Sequence, residues 1–119
     1  MRIRITGETV LEATLEDTAS ARDFASVLPL ELELEDYAST EKIAYLPRKL
    51  SLECAPAGVT PRAGDLCYYA PWGNMALFYR DFAYSPGLVR LGALDGDPGR
   101  LAGIGQGPLS FERAFSSTV

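Results

Sequence analysis

YYAPWGNMALFYRDF, residues 68–82, decides how this chain folds. On one side of its Pro-Trp-Gly corner, the run LCYYAP reads as a strand. On the other, NMALFYRDF alternates, with Met75, Leu77 and Tyr79 on one face and Ala76, Phe78 and Arg80 on the other. Period two is the signature of a strand. The only tryptophan, Trp72, falls in the corner between the two. A core tryptophan usually belongs to a regular element. One in a Pro/Gly corner either caps the core or floors an apolar pocket, and Trp is a frequent binding anchor.

Working outward, more strands appear. RIRI (2–5), a turn at Gly7 and VLEATL (10–15) make a hairpin. LELELED (30–36) alternates strictly, with leucines on one face and Glu31, Glu33 and Glu35 on the other, so the charged face meets solvent. EKIAYLPRKL (41–50) is extended and broken at Pro47. LVRLGALD (88–95) and LSFERAF (109–115) complete the series. Between them lie a loop over 53–65, a turn at YSPG, and a turn or short helical piece at GDPGRLAGI. One segment changes period: Ala21, Phe24, Ala25 and Leu28 fall on one helical face, capped from Asp17, Thr18 or Ser20 and stopped by Pro29, which predicts a helix near 18–28. SSTV reads as a loose tail. Roughly eight short strands and one clear helix argue for an all-β barrel or sandwich.

At 119 residues the chain has the size of one domain, 1–119, that buries enough surface to fold without staples. Its 47% apolar and 23% charged residues are ordinary globular composition. No apolar run approaches a membrane span, and MRIRITG has no signal-peptide core, so a cytoplasmic protein without membrane partners is expected. A net charge of −5 argues against nucleic-acid binding.

Histidine is absent, and the cysteines are two, Cys54 and Cys67. That set makes neither a disulfide framework nor a zinc site, so no metal and no cofactor are expected. The commonest general base and every Ser-His or Cys-His pair are missing too. GIGQG (103–107) lacks the helix and Lys-Ser/Thr of a phosphate loop, and DGDPG (95–99) lacks the later ligands of a calcium loop; both read as bends. Asp36, Glu41 and Asp65 are carboxylates whose spacing does not show that any two meet. Arg48, after Pro47 and among apolar neighbours, offers a rigid donor fork; it is either an electrophilic anchor in a concave face or a solvated ion-pair partner.

The segments carry a resemblance. YSPGLVRLGALDGDPGRLAGI resembles the cyclophilin stretch in which a Val-Val-Phe-Gly strand leads into a Gly-Met-Asp turn and a short helix. IAYLPRKL resembles the cyclophilin Phe-His-Arg-Val-Ile strand, and GVTPRAGDLCYYAP the Gly-Asp and strand that follow, all in the same order. EDYASTEKIAYLPRKL with DLCYYAPWGNMALFYRDF is similar to the small prokaryotic cyclophilin-like proteins. The resemblance implies a closed, mainly antiparallel eight-stranded barrel with one or two capping helices. It also implies peptidyl-prolyl cis–trans isomerisation, a rotation about an amide with a barrier of ~18–20 kcal/mol that needs no cofactor.

Carried over by position, the family's catalytic arginine falls on Arg48 and the aromatic pocket strand near Leu77 and Phe78. Other positions depart. The Gly-Phe-Met-x-Gln segment becomes LSLECAPAG, the pocket histidine falls on Leu88, and the pocket tryptophan has no counterpart beyond nearby Phe82 and Tyr84. The resulting expectation is a groove that binds proline-containing peptide with weak or no isomerase activity. Arg48 would be the anchor, Trp72, Leu77 and Phe78 the wall, and Tyr45 or Tyr69 would add hydrogen bonds. The alternatives are a genuine isomerase with a rebuilt site and a non-catalytic barrel for a small molecule or protein.

Overall fold

The computed structural model describes residues 1–104 and 107–114. Eight strands close into a barrel: β1 (Arg2–Thr6), β2 (Val10–Leu15), β3 (Leu30–Tyr37), β4 (Glu41–Tyr45), β6 (Asp65–Tyr69), β7 (Asn74–Phe78), β9 (Leu88–Leu94) and β10 (Gly107–Arg113). Around the barrel the order is β1-β10-β3-β4-β7-β6-β9-β2, and every pairing is antiparallel. Two further strands, β5 (Gly58–Val59) and β8 (Ser85–Pro86), pair outside it as a short ribbon. Closure leaves no sheet edge in the barrel, so the unpaired backbone groups of an open sheet are avoided.

Alternation fills the interior. Ile3, Ile5, Leu11, Leu34, Leu66, Met75, Leu77, Leu91 and Phe111 all point inward and are buried. Helix α1 (Ala19–Ser26) packs Ala21, Phe24 and Ala25 onto this core, and the Thr18 hydroxyl caps it by accepting from the Ala21 N–H at 3.1 Å. α2 (Gly99–Ala102) seats Leu101 against the same core. The Tyr68 hydroxyl, inside the barrel, accepts from the Leu50 N–H at 3.1 Å and fixes the segment after β4.

The structure sharpens several expectations. β7 stops at Phe78, because the Tyr79 N–H leaves the ladder for the Thr40 carbonyl and its hydroxyl donates to Asp36. The loop over 53–65 and the YSPG turn each hold half of the β5–β8 ribbon. The strands approach so closely there that a Cβ on Gly58 would lie 2.5 Å from the Ser85 carbonyl oxygen. GDPGRLAGI contains α2, opened by an Asp97 carboxylate that accepts from the Gly99 N–H. The GIGQG centre, Phe115 and the SSTV tail lie outside the described residues.

Candidate functional site

The Pro-Trp-Gly corner closes the β6–β7 hairpin. Both the Trp72 and Gly73 N–H groups donate to the Tyr69 carbonyl, and Gly73 takes φ +70°, a left-handed conformation that glycine adopts without steric cost. The turn therefore holds Trp72 out of the strand. Its ring stands nearly perpendicular to Tyr69, 5.6 Å away, and to Tyr37 at the end of β3, 5.9 Å away. These are favourable edge-to-face contacts. Three elements thus place one aromatic cluster, yet Trp72 stays 51% exposed.

The cluster rims a cavity of about 340 Å³ on the outer wall of the barrel. Its floor comes from residues of opposite parity to the core. Ile43 of β4, Phe78 of β7, Tyr69 of β6 and Leu88 of β9 share the outer face with Ala76 and Cys67. Phe82, Tyr84 and the β8 strand wall the far side. The volume sits at the lower end of ordinary ligand sites.

Besides hydroxyl groups, one carboxylate and one amide side chain enter this apolar setting. Glu41 stands in register between Tyr37 and Phe78. Burial against these rings, with no ion-pair partner among the described residues, pushes its carboxyl up from 4.5 to about 7. Desolvation penalises the charged form, and nothing offsets it. Asn74, only 2% exposed, pairs across the hairpin with Tyr69. Its Nδ2 donates to the Met75 carbonyl at 3.1 Å, while Oδ1 is buried with no donor among the described residues. A buried acceptor left unmade costs about 1–3 kcal/mol. Cys67 lies in the floor, and burial drives its thiol far up, which makes it a packing residue rather than a nucleophile.

The residues singled out from sequence separate. Trp72, Tyr69 and Phe78 line the cavity together. Leu77 is fully buried on the inner face, one residue out of phase with the wall. Tyr45, at the end of β4, is 63% exposed and is not among the lining residues. Arg48 is also elsewhere. Its Nη2 and Nη1 donate to the two Asp23 carboxylate oxygens at 2.7 and 3.0 Å, and further donations reach Ser26 Oγ and the Lys49 carbonyl. Asp23 also accepts from the Ser51 N–H, and these donors hold its carboxyl down at about 2. The guanidinium clamps the 46–51 segment to α1. Of the carboxylates Asp36, Glu41 and Asp65, two have separate partners and Glu41 has none among the described residues: Asp36 bonds Tyr79 and Lys42, and Asp65 bonds Arg90.

Glu41 stands out in the sequence only as one of three carboxylates, not as a pocket residue, and Asn74 and Tyr37 are not singled out there. Parity was the available signal: counting back in twos from Phe78 reaches Ala76 and then Asn74 on the same face. A second cavity, about 540 Å³, lies beside α1. Its Arg90 is bound to Glu16 and Asp65, and its Arg22 to Asp17. Among the described residues no group of three or more His, Cys, Asp or Glu is placed to hold a metal, and no helix is long and apolar enough to cross a membrane.

No curated protein matches the chain. The model of the cyclophilin-like family matches residues 4–112, nearly the whole barrel. The closed eight-stranded wall, with its pocket on the outer face, is thus the frame of a member of the cyclophilin-like family.

Proposed function

We propose that this cyclophilin-like protein is a binding module whose outer-wall pocket takes a proline-containing segment, without isomerase chemistry of its own. The observation that carries the reading is the aromatic cluster Tyr37–Trp72–Tyr69 over the apolar floor of Phe78 and Leu88. Aromatic-lined grooves accept proline rings because the rigid, apolar ring stacks well and loses little entropy on binding. The cavity has room for a compact group, with the rest of a chain lying across the exposed rim of Trp72, Phe82 and Tyr84.

Rotation catalysis would call for a donor aimed at the prolyl nitrogen. Arg48 is the arginine that resemblance nominates, and its fork is committed to Asp23 outside the pocket lining. Among the described residues no arginine or lysine lines the pocket. The binding reading extends to a cytoplasmic setting, supported by two unpaired cysteines, one of them exposed.

Trp72 emission reports directly on the pocket, because it is the chain's only tryptophan. Titration with acetyl-X-Pro peptides is expected to shift that emission saturably, and Phe78→Ala to weaken the response. In a protease-free isomerisation assay, wild type and Arg48→Ala are expected to leave the uncatalysed relaxation, tens to hundreds of seconds, unchanged. Acceleration lost in Arg48→Ala would overturn the non-catalytic reading.

A further inference from the structure

The pocket is charged in one sense only. Among the described residues Glu41 is the sole charged lining residue, and six aromatic side chains surround the space: Tyr37, Tyr69, Trp72, Phe78, Phe82 and Tyr84. Ring faces attract cations, and several rings around a carboxylate favour a positively charged guest over a neutral one. The Thr40 and Ser85 hydroxyls that line the space already give their protons to the Ala38 and Ala83 carbonyls. At the other end, four residues and about 13 Å along β7 from Phe78, Asn74 Oδ1 is a buried acceptor without a donor among the described residues. A carboxylate without a cation and an amide oxygen without an N–H are both complementary to protonated nitrogen.

Charged groups on the neighbouring elements do not supply that cation. Lys42, next to Glu41 on β4, is turned to Asp36, 3.5 Å away, and lies over the Tyr79 ring. On β3, Glu35 and Asp36 carry the wrong sign. Arg90 on β9 is held by Glu16 and Asp65. Arg80 and Asp81, which follow β7, do not line the pocket, and Asp81 accepts from the Ala63 N–H.

We propose that the pocket selects an organic ammonium ion carrying a small apolar body, with its protonated nitrogen set against Glu41 and its body on the aromatic wall. The inference rests on the reading of this pocket as a ligand site and names the chemistry it prefers. Two sources fit: a free amine, or the ammonium of a chain that begins with proline. Proton linkage follows from the site. A cation stabilises the ionised Glu41, so binding releases a proton from the carboxyl and strengthens as pH rises through about 7.

The test uses the intact chain, calorimetry and Trp72 emission, with three probes: a Pro-Ala amide with a free N-terminus, its N-acetylated form, and tetramethylammonium. The free-amine peptide is expected to bind at least about tenfold more tightly than the acetylated one, and Glu41→Gln to reduce that preference to about twofold or less. Tetramethylammonium keeps its charge at every pH, so its affinity change between pH 5.5 and 8 reports Glu41 in the wild type alone; about a tenfold gain is expected. Tetramethylammonium binding as tightly as the free-amine peptide would assign the site to free small ammonium ions, and a preference for the peptide would assign it to a prolyl terminus. Equal binding of the free and acetylated peptides would overturn the ammonium inference while leaving the pocket reading standing. No binding of either peptide would overturn both.

Discussion

Glu41→Gln should make the protein more stable at alkaline pH, by an amount the site itself sets. In the folded chain the carboxyl is pushed from 4.5 to about 7 by burial. Between those values the folded state holds a proton that the unfolded state has released, so stability falls as pH rises through this window. At about 1.4 kcal/mol per pH unit the full shift corresponds to about 3 kcal/mol. Glu41 is only half-buried, and water at the cavity mouth lowers the figure to about 2 kcal/mol. Glutamine keeps the shape and removes the charge. Urea denaturation of wild type and variant from pH 5 to 8.5 is the assay, because the difference cancels every other titrating group. The variant's advantage is expected to be small near pH 5, to grow as pH rises toward about 7, and to stay level at about 2 kcal/mol from there to pH 8.5. A difference flat across this range would refute the desolvated carboxylate. So placed, Glu41 is an expense in stability that a bound cation would remove, a common arrangement at functional sites.

Three further outcomes follow from the same geometry. Arg48→Ala is expected to lower the melting temperature modestly at neutral pH, through loss of an exposed but bidentate pair with Asp23. Because Asp23 is depressed to about 2, that contribution is present above pH 3.8 and lost as pH falls toward 2, which paired thermal melts at pH 7 and 2.5 would show. Of the two thiols, exposed Cys54 should react at once with a disulfide reagent, and Cys67 only on unfolding; two fast thiols would contradict the packed floor. Gly58→Ala should loosen the β5–β8 ribbon, since its Cβ would meet the Ser85 carbonyl oxygen at 2.5 Å, giving faster amide exchange at the β5–β8 pairing and weaker ligand response with the barrel melt little changed.

Period two was written in the chain wherever one strand face is apolar and the other polar. LELELED announced its own orientation, and β3 keeps the leucines inside and the glutamates out. The helix was equally plain from Ala21, Phe24 and Ala25. NMALF was harder. All five residues are buried, since one face meets the core and the other the outer cluster. Alternation there gives the two faces but not their assignment, so Leu77 and Phe78 are both candidates for a pocket wall until the barrel closes. The two-residue strands β5 and β8 carry no periodicity at all; they exist because chain closure brings Gly58 against Pro86.

The sequence by itself determined the local choices: which segments are extended, where the helix is capped, and that Trp72 stands in a corner made by Pro71 and a left-handed Gly73. Those rest on short-range sterics and side-chain pattern, which neighbours along the chain carry in full. Tertiary structure alone decided the partners. It gave Arg48 to Asp23 across 25 residues, set Glu41 among rings from other elements, and left Asn74 Oδ1 without a donor. Electrostatics and burial depend on what arrives from distant strands, and only the closed barrel fixes which strands those are.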